Sequence, residues 1–158
     1  MQFLDKKESE KNSLIKNPLL KKLILFLVFT LLLFLGLDVI LHHHQIGLTL
    51  ATATDSILGN EDEFLDPILF DTLLERLHAD ILSAMIVLML LATILIRLSP
   101  QSKQHLVHLS FLTAIFSQVA LLLAPSLPLF IVLWIILFLL WHLLAFIMGL
   151  SILWKLFK

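Results

Sequence analysis

The stretch Asp71 to Pro100, DTLLERLHADILSAMIVLMLLATILIRLSP, constrains this chain more than any other. Ile81 to Ile96 is almost wholly apolar, and with its flanks it reaches the roughly 20 residues a helix needs to cross a bilayer. Thr72 and Glu75 have the T-x-x-E spacing of a capping box and predict the helix start. Arg97 followed by Ser99-Pro100 predicts its end. Near the start sit His78 and Asp80, ionisable groups that membrane helices seldom keep without a reason.

The rest of the chain has the same character. Hydrophobic residues make up 59% of it, whereas a soluble domain is about 45–50% apolar, so the excess faces lipid. Every acidic residue lies at or before Asp80, which leaves the second half almost entirely to the membrane. The fold class expected is an all-α integral membrane protein, a four-transmembrane-helix bundle with spans near 23–41, 72–98, 105–124 and 129–154. A polar basic tail, 1–22, precedes a single membrane domain, 23–158. The absence of cysteine excludes disulfides, thiolate metal sites and cysteine catalysis. No continuous basic face exists beyond the tail, which argues against nucleic-acid binding. No internal repeat is evident, so an inverted-repeat transporter is not supported.

Leu23 to Leu41 is too long for the h-region of a signal peptide, about 7–15 residues, and the A-x-A match at Ala51-Thr52-Ala53 lies too far downstream. It reads as an uncleaved first span. The long loop, 42–71, carries no Lys or Arg before its end but has Asp55, Glu61, Asp62, Glu63 and Asp66. Gly59-Asn60 predicts a turn, and Asp66-Pro67 predicts an N-cap with Pro at the first helical position, opening a short helix at 67–71. Ile57, Leu58, Phe64, Leu65, Ile68, Leu69 and Phe70 suggest that the loop lies on the membrane surface or on a partner. The tail lysines, Arg97 with Lys103, and Lys155 with Lys158 fall on one side, with Arg76 the exception. The positive-inside rule then puts both termini in the cytoplasm of a bacterial cell, in its inner membrane, with the loop outside.

The candidate ligands are histidines. His42, His43 and His44 follow the first span, His78 opens the second, and Asp38 and Asp80 lie deeper. Asp38 and His42 are i,i+4 and share a helix face. Neutral imidazole with carboxylate suits a transition metal, and one carboxylate can instead orient a histidine. The bland alternative is an interfacial histidine cap, with the two aspartates paired to Arg76 or to histidine.

His142 lies near the middle of the last span. Ala145 and Gly149 on nearly the same face allow close helix approach, so His142 is expected inside the bundle. There it either ligates haem iron, with His78 as the other cofactor residue, or bonds Thr30, Thr113 or Gln118. His105 and His108 are read as interfacial, because His108 shares its face with Leu112, Ile115 and Val119. The polar face of that span is Ser110, Ala114, Ser117 and Gln118. Trp134, Phe138 and Trp141 form an aromatic stripe better suited to packing than to a cofactor. With Ser83, Ser117 and Gln118, the aspartates would line an outward-facing polar pocket.

Four spans with histidines near the ends and one mid-membrane resemble small membrane b-type cytochromes in architecture alone. No nucleophile–base–orienter triad, P-loop or H-E-x-x-H motif occurs. Three readings follow. The first is a small accessory or structural subunit acting through its acidic loop, helix packing, other membrane subunits or self-association. The second is a redox or metal-binding protein using b-type haem or a transition metal. The third is a proton or cation pathway through Asp38, Asp80, Gln118 and His142.

Overall fold

The computed structural model describes residues 17–98 and 104–157. Lys6, Lys7, Lys11 and Lys16 of the tail, the connector with Lys103, and Lys158 lie outside the described residues. The elements are helices α1 (Pro18–Gln45), α2 (Leu50–Leu58), α3 (Phe70–Leu98), α4 (Gln104–Leu123) and α5 (Pro128–Phe157), with a 3-10 turn at Glu61–Glu63. All but α2 and the 3-10 turn are long and apolar enough to cross a membrane.

α1 starts ahead of its apolar run because Asn17 caps it. The Asn17 Oδ1 accepts from the Leu19 and Leu20 N–H groups, and Pro18 needs no donor partner in the first turn. Lys21 and Lys22 therefore belong to the helix and not to the tail. At the other end the helix runs through all three consecutive histidines to Gln45.

The long loop holds more structure than expected. Thr49 and Thr52 form a reciprocal capping box that opens α2. Gly59, at φ 81°, closes it and makes the turn expected there. Residues 66–69 are not helical, so Asp66-Pro67 does not open a helix. Instead Ile68 packs on the core and α3 begins at Phe70, with the Leu73 N–H bonded to the Leu69 carbonyl. Thr72 and Glu75 consequently lie inside the helix and not at its cap.

α5 is the hub. It packs against α1, α2, α3 and α4, and its interface with α4 is the largest in the molecule. The reason is its seam: Ile131, Trp134, Phe138, Trp141, Ala145, Met148 and Ile152 are all buried, at alternating spacings of three and four that keep one stripe facing neighbours. Gly149 lets α1 approach, since a Cβ there would lie 2.6 Å from a Leu32 methyl. At about 45 Å by helix rise, α5 exceeds the hydrocarbon thickness and must tilt or protrude. Trp154, 72% exposed beside Lys155, marks its far end as an interfacial anchor.

The core divides into two apolar clusters. One, toward the 99–103 connector, holds Val28, Leu35, Ala84, Leu88, Leu91, Ala114, Trp141, Met148 and Ile152. The other, under the loop, holds Ile46, Ala53, Ile57, Leu73, Leu77, Leu121, Ile131, Trp134 and Phe138. On α1, α3 and α4 a polar step separates them: Asp38 and His42 between Leu35 and Ile46, Asp80 between Leu77 and Ala84, Ser117 and Gln118 between Ala114 and Leu121. Replacing Gly149 by Leu is expected to wedge α1 from α5. Overpacking of this kind costs about 1–3 kcal/mol, readable as a lowered thermal midpoint in detergent, with Gly149→Ala milder because the Leu32 methyl can turn aside.

Candidate functional site

The polar step is a row of two hydrogen-bonded acid–histidine pairs built from three helices. His42 Nε2 lies 3.0 Å from Asp80 Oδ2, joining α1 to α3. His142 Nε2 lies 3.0 Å from Asp38 Oδ2, joining α5 to α1 across 104 residues of sequence. His42 Nδ1 and Asp38 Oδ2 are 3.7 Å apart, beyond hydrogen-bond reach, so the two pairs lie side by side with a gap between them. In order of contact the row runs Asp80, His42, Asp38, His142. Both histidine side chains are 4% exposed, and the aspartates 12% and 18%.

Each imidazole is oriented by its own helix. His42 Nδ1 lies 3.0 Å from the Asp38 carbonyl and His142 Nδ1 lies 2.8 Å from the Phe138 carbonyl, both one turn back. A carbonyl oxygen only accepts, so each Nδ1 carries the proton and donates it. That leaves Nε2 of each ring facing a carboxylate with one proton to hold between them. The proton sits either on the carboxyl, which donates to Nε2, or on Nε2, which donates to the carboxylate. Losing it would set two acceptors against each other at 3.0 Å in a low-dielectric interior, a costly state. In this geometry each pair shares at least one proton between carboxyl and Nε2.

Phe138 walls the chain. Its ring centroid lies 4.5 Å from that of His42 and 4.2 Å from that of His142, and Trp141 covers His142 at 3.7 Å. The aromatic stripe therefore serves as packing, and it also shields the imidazoles. Bordering the same region, Ser117 Oγ, Gln118 Oε1, Trp134 Nε1, Trp141 Nε1 and Arg76 Nη1 are buried without a hydrogen-bond partner among the described residues.

Asp38, His42 and Asp80 of the expected metal set meet here, and they meet His142, which sequence reasoning had assigned to a separate haem feature. His43, His44 and His78 do not join them, for all three are exposed. The cause is rotational. His43 and His44 follow His42 by one and two residues and His78 precedes Asp80 by two, and residues so spaced do not share a helix face. His78 and His142 consequently do not face one another. Among the described residues, no group of three or more His, Asp or Glu side chains is placed to hold a metal ion.

The aspartates pair with histidine and not with Arg76. His142 bonds Asp38 and none of Thr30, Thr113 or Gln118. Thr30 is exposed and Thr113 is bonded back to the carbonyls of Leu109 and Ser110. His105 and His108 are exposed, as expected for interfacial residues, while Ser110, Ala114, Ser117 and Gln118 are buried. The missed link had one signal: two carboxylates and two histidines lie on inward faces of spans, and a buried charge needs a partner.

Four lipid-length helices around a buried acid–histidine chain define an integral membrane protein. Its residues 47–158 match the family model Aq_1264_TM, a transmembrane helical domain, and the chain belongs to that family. No curated protein and no solved structure matches it. The matched region includes Asp80 and His142, whereas Asp38 and His42 lie on α1 ahead of it.

The geometry separates the histidines by consequence. His142→Ala leaves Asp38 half-paired in the bundle, and breaking a buried pair in this way costs on the order of 3 kcal/mol. His78→Ala, at an exposed position, is expected to stay within about 0.5 kcal/mol of the parent. Chemical unfolding of both variants in the same detergent checks the ranking.

Proposed function

We propose that this chain is an accessory membrane subunit that takes up protons from the loop side and holds them in the middle of the bilayer. The contact order Asp80–His42–Asp38–His142, two hydrogen-bonded pairs 3.7 Å apart, carries this reading. A step along it balances in protons. As protonated Asp80 gives its proton to His42 Nε2, His42 releases its Nδ1 proton to ionised Asp38, whose pair proton then resides on His142 Nε2. Asp80 ends ionised, Asp38 ends neutral, and His42 keeps the same number of protons. The step requires His42 Nδ1–H to leave the Asp38 carbonyl, the 3.7 Å gap to Asp38 Oδ2 to close, and the Asp38–His142 pair to hold a second proton.

The relay stops at His142. Beyond it the core is Leu88, Leu91, Met148 and Ile152. The buried hydroxyls of Ser110 and Thr113 are spent on the backbone carbonyls of their own helix. A chain ending in apolar core stores and returns protons and does not conduct them across, which suits a subunit serving a larger membrane assembly. The basic residues at the opposite end, Lys21, Lys22, Arg97 and Lys155, favour that end as the cytoplasmic one and the loop as the outer one.

pH-difference infrared spectroscopy on the protein in lipid nanodiscs tests the proposal. A carboxyl band that titrates in the parent, disappears in Asp38→Asn and shifts in His142→Gln is the expected result. Liposomes carrying the protein should show no added passive proton leak. A parent without any titrating carboxyl band refutes the reading, and so does stoichiometric metal that is lost with His142→Gln.

A further inference from the structure

The 60–65 turn presents an aromatic side chain in a manner that folding of the chain alone does not reward. Asn60 and Leu65 exchange two backbone hydrogen bonds of 2.9 Å, the Asn60 side chain accepts from the Asp62 N–H, and its amide donates to Asp55 on α2. This closed turn places Phe64 at φ 55° in the left-handed region, where a bulky residue is an outlier and glycine or asparagine is the usual occupant. Phe64 is nevertheless 94% exposed. A strained backbone position that displays a phenylalanine points to a contact outside the chain.

The surroundings indicate which contact. Leu65, Leu69, Phe70 and Leu74 are exposed in turn, and they lead directly onto Ile81, Leu82 and Met89, exposed residues of membrane-spanning α3. The loop leaves the membrane after α1 and returns to it at α3, so its apolar edge is continuous with a surface that lipid covers. The acidic side chains of Glu61, Asp62, Glu63 and Asp66 are exposed in the same loop and suit the aqueous side of an interface. They would also be repelled by anionic headgroups. An apolar edge with a charged one beside it is the pattern of an interfacial anchor.

We propose that Phe64, with Leu65, Leu69 and Phe70, inserts into the interfacial region of the loop-side leaflet as a lipid anchor. Because Asn60 ties this turn to α2, and α2 buries Ala53 and Ile57 in the loop-side core, the anchor also pins α2 over that end of the bundle.

The lack of cysteine makes the test direct. Phe64→Cys and Asp62→Cys each give a single site for a nitroxide label, in full-length protein in phosphatidylcholine nanodiscs at one copy per disc. Power-saturation measurements then compare access of oxygen, which favours lipid, with that of a nickel chelate, which stays in water. The expected result is oxygen access exceeding nickel access several-fold at 64, with the reverse at 62. Equal nickel access at both positions would overturn the proposal, since the turn would then face water. Loss of access to both probes at 64 would also overturn it, since the turn would then be covered by protein. The infrared experiment on Asp38 is independent of either result.

Discussion

The bond between Asp38 and His142 is the constraint on which the bundle depends. Lipid tails are as apolar as leucine, so membrane helices gain nothing from hiding apolar side chains from one another. They associate through close packing and interhelical hydrogen bonds. α1 is the least buried of the four long helices in its most apolar window, at 22%, and relies on what attaches it. The Asp38–His142 bond ties it to α5, the His42–Asp80 bond ties it to α3, and Gly149 lets the backbones near Leu32 approach. Leaving any one of these polar groups unpaired in the interior would cost more than the bond itself contributes.

The same arrangement explains why the polar groups form a layer. Two apolar clusters, one under the loop and one toward the connector, enclose it from both ends. In such surroundings an imidazole cannot adopt an arbitrary tautomer. The backbone carbonyl one turn back accepts a hydrogen bond from Nδ1–H, and Nε2 shares a proton with the carboxyl group opposite. Positioning is thus done by the helix and proton chemistry by the partner. This division of labour is repeated on α1 and α5 with the same i,i+4 geometry.

Much of this could be read from residues alone, and the remainder could not for definite reasons. The spans are stated by long apolar runs, and the inward face of α4 by the spacing of Ser110, Ala114, Ser117 and Gln118. The small residue at 149 marks the approach of a neighbouring helix. Three adjacent histidines, however, differ by about 100° around a helix of 3.6 residues per turn, and composition does not say which one turns inward. Depth along a helix is legible, but the rotation of one helix against another is set by packing across the whole seam of α5. By depth Asp38 reads with the outer histidines and His142 with the middle of the last span, so the sequence does not place them together. In the loop, Thr49 and Thr52 open a helix with a T-x-x-T box, which lacks the Glu or Gln of the usual capping signature.

The distance in sequence between Asp38 and His142 has a consequence for how the molecule is made. Chains emerge N-terminus first, so α1 meets the bilayer long before α5 exists. Through that interval Asp38 lacks its eventual partner, and the group within its reach is His42 on the next turn of the same helix. Asp80 arrives later with α3 and draws on His42 Nε2, and the last helix then supplies His142. The helix thus carries, one turn from Asp38, the imidazole that shares its carboxyl group's surroundings before the final span is in place.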